Sequence, residues 1–494
     1  LDDAPLTLLP LGDLVKIAPM LAAGLSAIVV LLLDLALPPA KRGALAFVAL
    51  AGLVVALVVL HAFGRVSSEP IAAFYDCLRF DRLTFLAHNL ILASAVFFVL
   101  VSPRYLQDRL LPWGEYYALI LFAAMAMMAL AASRELVTMF VNLELLSFTL
   151  YVLAGLEREN LRSTEAAFKY FTIGSYAAAF MLFGLALIYG ATGATQFDVI
   201  AESLAAGELR GPLPSSIALS AGLALAMVGF GFKLTLAPFQ MYAPDVYAGA
   251  PTPVAGLIAT GSKVATMAIL FQLLSVIAGW ADRPDALYWG LYAMTVASIV
   301  VGGVGAIVQA NFKRLMAYSG VSHGGYMMLA LVPALRDPSL LDDSRRAIAY
   351  YLIAYVLMTA TAFGVAASLG SEGDGKLDRF SGLGRRSPLL AGALAISLLS
   401  LTGVPPTVGF FGKVYLFSIP IAAGDYLLAV LGVLASVASA YYYLRAIVRM
   451  YMEEPHRDRR EPPRVEIFNA FAVAVGSAGV LLVALWPVMD SWVD

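Results

Sequence analysis

The stretch GFGFKLTLAPFQMYAPDVYAGAPTP, residues 229–253, reads as an apolar helix that a proline breaks close to a lysine. Pro238 removes a backbone donor and crowds the preceding turn, so the helix around it is interrupted. Lys233 stands shortly before that proline, with apolar sequence on both sides. A second stretch, TGVPPTVGFFGKVYLFSIP (402–420), repeats the association, with Pro405 and Pro406 shortly before Lys413. Irregular backbone at membrane depth is tolerated where protein or water lines the gap. In transporters, such interruptions in two corresponding halves point to the ion path.

The rest of the chain supplies the membrane context. Of 494 residues, 61% are hydrophobic and 13% are charged, too little polar material to coat a soluble protein of this size. Apolar runs long enough to cross about 30 Å of hydrocarbon are centred near residues 26, 54, 91, 123, 146, 180, 227, 265, 297, 323, 358, 405, 438 and 475. They are continuous rather than alternating, which favours helices over a barrel. The expected fold is an all-α polytopic membrane protein of about 14 transmembrane helices, the tenth of them short. The first run, 15–37, is too long for the apolar part of a signal peptide and reads as a span.

Basic residues collect in the loops after odd-numbered spans: Lys41 and Arg42, Arg104 and Arg109, Arg158 and Arg162, Lys313 and Arg314, then Lys376, Arg379, Arg385 and Arg386. By the positive-inside rule these loops face the cytoplasm, and fourteen spans place both termini on the periplasmic side. Residues 452–466, charged and Pro-containing, read as a solvated linker before the last span. The net charge of −2 gives no reason to expect a nucleic-acid partner. Cys77 is alone and the four histidines are scattered, so no metal or cofactor site is expected in this chain. Any redox chemistry belongs to a partner.

The two interruptions fall in the seventh and twelfth spans. An odd offset reverses the direction of crossing, so spans four to eight and nine to thirteen are expected to be inverted five-helix repeats with discontinuous helices 7 and 12. The chain then divides into three N-terminal spans (1–112), a first repeat (113–284), a second repeat (285–452), and a charged loop with the last span (453–494).

A charge at the bilayer centre costs about 2.5–3.5 kcal/mol on insertion scales. Five positions well inside spans carry one: Glu144, Lys169, Lys233, Lys263 and Lys413. Glu144 cannot reach either end of its span, and an ion pair with Lys233 would stabilise both charges. A lysine whose carboxylate partner moves can load or release a proton. The competing account for these charges is a structural ion pair. Glu165 and Lys169 are one turn apart near a basic loop and read equally well as an interfacial pair. Asp34 reads as interfacial and Asp245 as a loop or capping acid. His323, in SGVSHGGYMML, suits a proton relay because imidazole titrates near neutral pH, and packing explains it as well.

Several motifs together resemble a known family. NLELLSFTLYVLAG (142–155), STEAAFKYF (163–171), GFKLTLAPFQMYAPDVYAGAPTPV (231–254), NFKRLMAYSGVSHGGYM (311–327) and TGVPPTVGFFGKVYLF (402–417) are similar to the antiporter-like subunits of respiratory complex I. The likeness covers nearly the whole chain and is weaker in the first hundred residues. It implies a relay of Glu144, Lys233, Lys263 and Lys413, in which a proton taken up in the first half waits at Lys263 and leaves through the second half. It also implies flavin and iron–sulfur clusters in partner subunits, quinone as the substrate of the whole complex, and a bacterial inner-membrane location. Partners would be other membrane subunits, antiporter-like neighbours and quinone-linked small subunits among them, together with lipid. A cation/proton antiporter subunit or a membrane-bound hydrogenase-type complex is the alternative, and a purely scaffolding subunit a third.

Overall fold

In hydrocarbon, backbone polar groups must find partners within their own segment, and the chain is accordingly almost entirely helical in its computed structural model. The structure describes residues 11–63, 70–213, 215–278, 280, 285–370, 375–455 and 466–485. Both termini and most of the 452–466 linker, His456 included, lie outside the described residues.

Among the described residues, eleven helical segments are long and apolar enough to cross a membrane. The first six spans are Ala18–Ala36, Ala44–Phe63, Arg82–Val101, Trp113–Ala132, Leu136–Ala154 and Leu161–Thr192. The ninth, eleventh and thirteenth are Asp285–Ile307, Leu341–Ser368 and Tyr426–Met452. Three further segments complete the expected fourteen: Phe312–Arg336, the divided pair Pro388–Thr402 and Val408–Ala422, and Ile467–Leu482. The tenth span, expected to be short, is 25 residues long. Its Lys313, Arg314, Ser319, Ser322 and His323 dilute the apolar signal without ending the helix.

The seventh span is broken where the proline demanded it. Ser216–Leu234 ends at Thr235 in the left-handed conformation (φ 60°), a 3-10 turn covers Phe239–Tyr242, and the half-helix Ala243–Gly249 completes the crossing. The freed backbone groups are satisfied locally. Leu236 N donates to Gly231 O at 2.7 Å, Ala237 N to Ser298 Oγ at 2.9 Å, and the Tyr242 hydroxyl to Phe232 O at 2.8 Å. The eighth span, Thr252–Ala259 and Gly261–Ala278, is also divided, at Thr260, where no proline announced it. The twelfth breaks after Thr402 at Gly403, whose φ of 92° suits glycine.

Packing shows the repetition. The fourth span packs against the fifth and eighth, and the ninth against the tenth and thirteenth; the sixth lies on the seventh as the eleventh lies on the twelfth. The two repeats meet at the eighth span, which is fully buried, while the first and second spans leave about two-thirds of their residues open to the surroundings. Polar groups on the eighth span are therefore solvated by other helices.

One feature outside the helices was not expected. A short hairpin, Ile71–Ala73 paired antiparallel with Leu78–Phe80, follows the second span. Lys16 donates to Ala72 O, and Arg79 pairs with Asp198, so the hairpin fastens the short helix Leu11–Lys16 before the first span to the helix Phe197–Ala205 after the sixth.

Candidate functional site

Lys263 lies near the middle of the buried eighth span and is 1% exposed. Its ammonium donates to Thr235 Oγ1 at 2.9 Å and to Gly320 O at 2.5 Å. Thr235 reaches it because the seventh span stops there and turns left-handed. The break thus delivers a hydroxyl to a buried lysine. Gly320 leaves room for the second contact, since a Cβ there would stand 2.9 Å from Lys263 Nζ and the lysine tip would have to move. We expect Gly320→Ala to push Lys263 off its carbonyl and lower proton pumping by about threefold or more in membranes, with quinone reduction measured alongside. Normal pumping would show that this bond is dispensable.

From Lys263 a line of rings leads to the second break. The Lys263 ammonium lies 5.7 Å from the centre of the Tyr355 ring, which is 5.3 Å from the His323 ring. His323 is 5.6 Å from Tyr326, over whose ring Lys413 Nζ sits at 5.2 Å. His323 is held on both nitrogens: Nδ1 by the Tyr351 hydroxyl at 2.5 Å and Nε2 by the Tyr443 hydroxyl at 3.1 Å. Tyr443 also bonds Ser319. Lys413 donates to Leu401 O, Thr402 O and Ser436 Oγ, each at 2.8 Å. Two of those acceptors are last-turn carbonyls of the half-helix Pro388–Thr402, where a cation meets the negative end of the helix dipole.

The first half is arranged differently. The direct Glu144–Lys233 ion pair expected from the sequence is not formed. Glu144 Oε1 and Lys233 Nζ are both buried without a hydrogen-bond partner. Lys233 instead lies 5.7 and 5.5 Å from the ring centres of Tyr151 and Tyr170, an attraction between cation and π-face. Tyr151 fits there because residue 174 is glycine; a Cβ would fall 1.9 Å from its hydroxyl oxygen. Glu144 is half-buried, on the face of the fifth span that also exposes Val141, Leu145 and Phe148. The two groups remain close enough to interact electrostatically.

Residues 133–439, which include all of these groups except Tyr443, match the family described as NADH:quinone oxidoreductase/Mrp antiporter, TM. A chain of Roseiflexus castenholzii named NADH-quinone oxidoreductase subunit N 2 is 39% identical over 93% of this chain and 91% of its own length. This chain belongs to that family. Respiratory complex I from Thermus thermophilus contains a chain of the same fold, 33% identical, with a TM-score of 0.78 over 95% of this chain and 97% of that one. A chain of the Mrp complex from Dietzia sp. shares the fold at 19% identity and a TM-score of 0.77, covering 96% of this chain and 95% of its own. The antiporter-like fold read from the sequence is therefore that of this NADH:quinone oxidoreductase/Mrp family.

Within the family fold, Lys169 is kept away from the central line. It pairs with Glu165 at 2.6 Å and with Asp245 at 2.7 Å, while Arg314 holds the other oxygen of Asp245 at 2.8 Å. Asp245 opens the half-helix Ala243–Gly249, so this carboxylate ties the sixth, seventh and tenth spans together at the face carrying the basic loops. Asp34 pairs with Arg42 at 3.3 Å near the end of the first span. Lys313 was read from the sequence as a loop cation. It is instead 7% exposed, with its ammonium on Ala250 O at 2.8 Å. The Tyr351, Tyr355 and Tyr443 contacts to His323 and Lys263 were also missed, because tyrosine in a membrane helix carries no sequence signal that separates relay from packing.

Proposed function

We propose that this chain is a proton-translocating membrane subunit of an NADH–quinone oxidoreductase and that Glu144, Lys233, Lys263 and Lys413 pass the protons. One observation carries the reading. Lys263 and Lys413 are joined through Tyr355, His323 and Tyr326 by contacts each shorter than 6 Å, and both lysines rest on helix breaks. Among the described residues neither has a carboxylate partner, so the charge on each is held by carbonyls, hydroxyls and ring faces alone. Like charges in a low-dielectric interior repel strongly, and a proton arriving at one lysine drives release from the next. Glu144 moving onto Lys233 would hold a proton there, and its withdrawal would send that charge toward Thr235 and Lys263. Lys169, Glu165 and Asp245 form the ion pairs that hold the half-helix.

The driving reaction lies in other subunits, where flavin, iron–sulfur clusters and quinone belong. The basic loops face the bacterial cytoplasm, both termini the periplasm, and partner membrane subunits and lipid cover the exposed apolar faces. The segments 1–112, 113–284, 285–452 and 453–494 then serve as N-terminal spans, two half-channels and a terminal anchor. The alternative, a cation/proton antiporter subunit, draws on the shared Mrp fold. Its sodium site would require oxygen ligands, whereas three of the four central charges here are lysines.

Gentle detergent extraction separates the two readings. The chain should co-purify with proteins carrying flavin and iron–sulfur absorbance and should support NADH-driven quinone reduction. Isolation only with other antiporter-like chains, together with Na⁺/H⁺ exchange in vesicles, would overturn the proposal.

A further inference from the structure

A cavity of about 270 Å³ opens on the face of the basic loops, with Tyr105, Arg109, Glu157, Asn160, Arg162 and Lys313 in its wall. The wall carries three cations and one carboxylate, that of Glu157. That carboxylate is already engaged. It accepts from the Tyr105 hydroxyl at 3.0 Å, from Arg109 at 2.8 Å and from Asn160 at 2.8 Å. Arg162 is exposed, whereas Lys313 is buried and makes no ion pair among the described residues. The Lys313 ammonium donates to Ala250 O at 2.8 Å.

Three helices also begin at this cavity. The sixth span starts at Leu161 after its cap Asn160, the first part of the eighth at Thr252, and the tenth at Phe312. Asn160, Thr252 and Lys313 all line the cavity. Each helix start carries about half a positive charge. Asn160 already accepts from Arg162 N, and Gly375 O from Phe312 N, so these two helices contribute their dipoles rather than open amides. Side chains and backbone thus give the cavity the same sign of potential. A buried ammonium is costly unless opposite charge and hydrogen bonds surround it, and it has three protons to place. One carbonyl does not meet that need, and Glu157 is held by three other donors. Water would satisfy the donors without offsetting the charge. The volume is several times the roughly 30 Å³ of one water and admits a polyatomic anion.

We propose that this cavity is a binding site for a phosphate group, with Lys313 as the deep point charge and Arg162 as the planar donor at the mouth. Phosphate suits it because the group is anionic at neutral pH and offers several acceptor oxygens to lysine, to the arginine fork and to helix starts. Two sources share that chemistry: inorganic phosphate from the cytoplasm and the headgroup of an anionic phospholipid. Either would tie the sixth, eighth and tenth spans together on this face. The site is separate from the relay and does not depend on it.

The test uses the purified complex in detergent and compares wild type with variants, so that phosphate held by other subunits cancels. Radiolabelled inorganic phosphate is followed by equilibrium dialysis against chloride of equal ionic strength, and added phosphatidylglycerol by native mass spectrometry. For one of the two probes, Lys313→Met should weaken binding at one site per chain by about tenfold. Lys313→Arg, which keeps a charged donor, should stay within a few fold of wild type. A difference for inorganic phosphate identifies the free anion as the ligand, and one for phosphatidylglycerol alone identifies the lipid headgroup. Equal binding of both probes by wild type and Lys313→Met overturns the site. So does a loss in Lys313→Arg as large as that in Lys313→Met, which would make the effect one of packing. Should Lys313→Met fail to assemble, Arg162→Gln at the exposed mouth decides: severalfold weaker binding supports the site, and unchanged binding overturns it.

Discussion

Lys263→Met should reduce NADH-driven proton pumping by about a hundredfold while the complex still assembles. Methionine nearly matches the lysine stem in volume and flexibility, and the eighth span is packed on all sides, so neighbouring helices have little reason to shift. What goes is the ammonium that Thr235 Oγ1 and Gly320 O hold. Leaving those two acceptors unsatisfied costs about 1–3 kcal/mol each, far less than a fourteen-span bundle needs to fall apart. The chemical loss is larger, because Lys263 is where the first-half break and the His323 line meet. Quinone reduction should slow with pumping if the two are coupled. Unchanged rates of both proton pumping and quinone reduction, measured in sealed vesicles, would remove Lys263 from the pathway.

The second large effect concerns Glu144 and Lys233. Each single alanine substitution should lower pumping by about tenfold or more, and the double substitution should be no worse than the poorer single. The geometry makes this a sharper test than a contact ion pair would allow. In the present arrangement the two groups do not touch, and Lys233 rests on Tyr151 and Tyr170. If they act only as separate static charges, their losses add. If the pump cycle brings them together, removing either ends the same step. Additive losses in the double-mutant cycle would reject the switch and leave two independent residues.

How far the site was legible depends on which signals are local. Pro238 and the Pro405–Pro406 pair mark the seventh- and twelfth-span breaks because proline acts on its own turn, and the structure places both breaks there. Glu144, Lys233, Lys263 and Lys413 stand out because a charge inside an apolar run is costly wherever the run packs. Thr260, which divides the eighth span, carries no such mark; its distortion comes from packing, with its hydroxyl 2.5 Å from Ser94 Oγ on the third span. Lys313 misleads for the opposite reason. It stands at the start of a helix in a basic segment, and burial by Ala250 and the loop around Glu157 is decided by segments far away in sequence.

By itself, then, the sequence determined the helical membrane class, the broken spans and the identities of the central charges, since each follows from hydrocarbon length, proline geometry or the cost of an isolated charge. Only the tertiary structure decided which groups meet. It set Lys263 on Thr235 and Gly320, lined Tyr355, His323 and Tyr326 toward Lys413, kept Glu144 from touching Lys233, and buried Lys313 beneath a cavity. The physical reason is one of range. Backbone breaks and insertion costs act within a turn or a single span, whereas hydrogen bonds and ring contacts join helices whose relative placement no local pattern encodes.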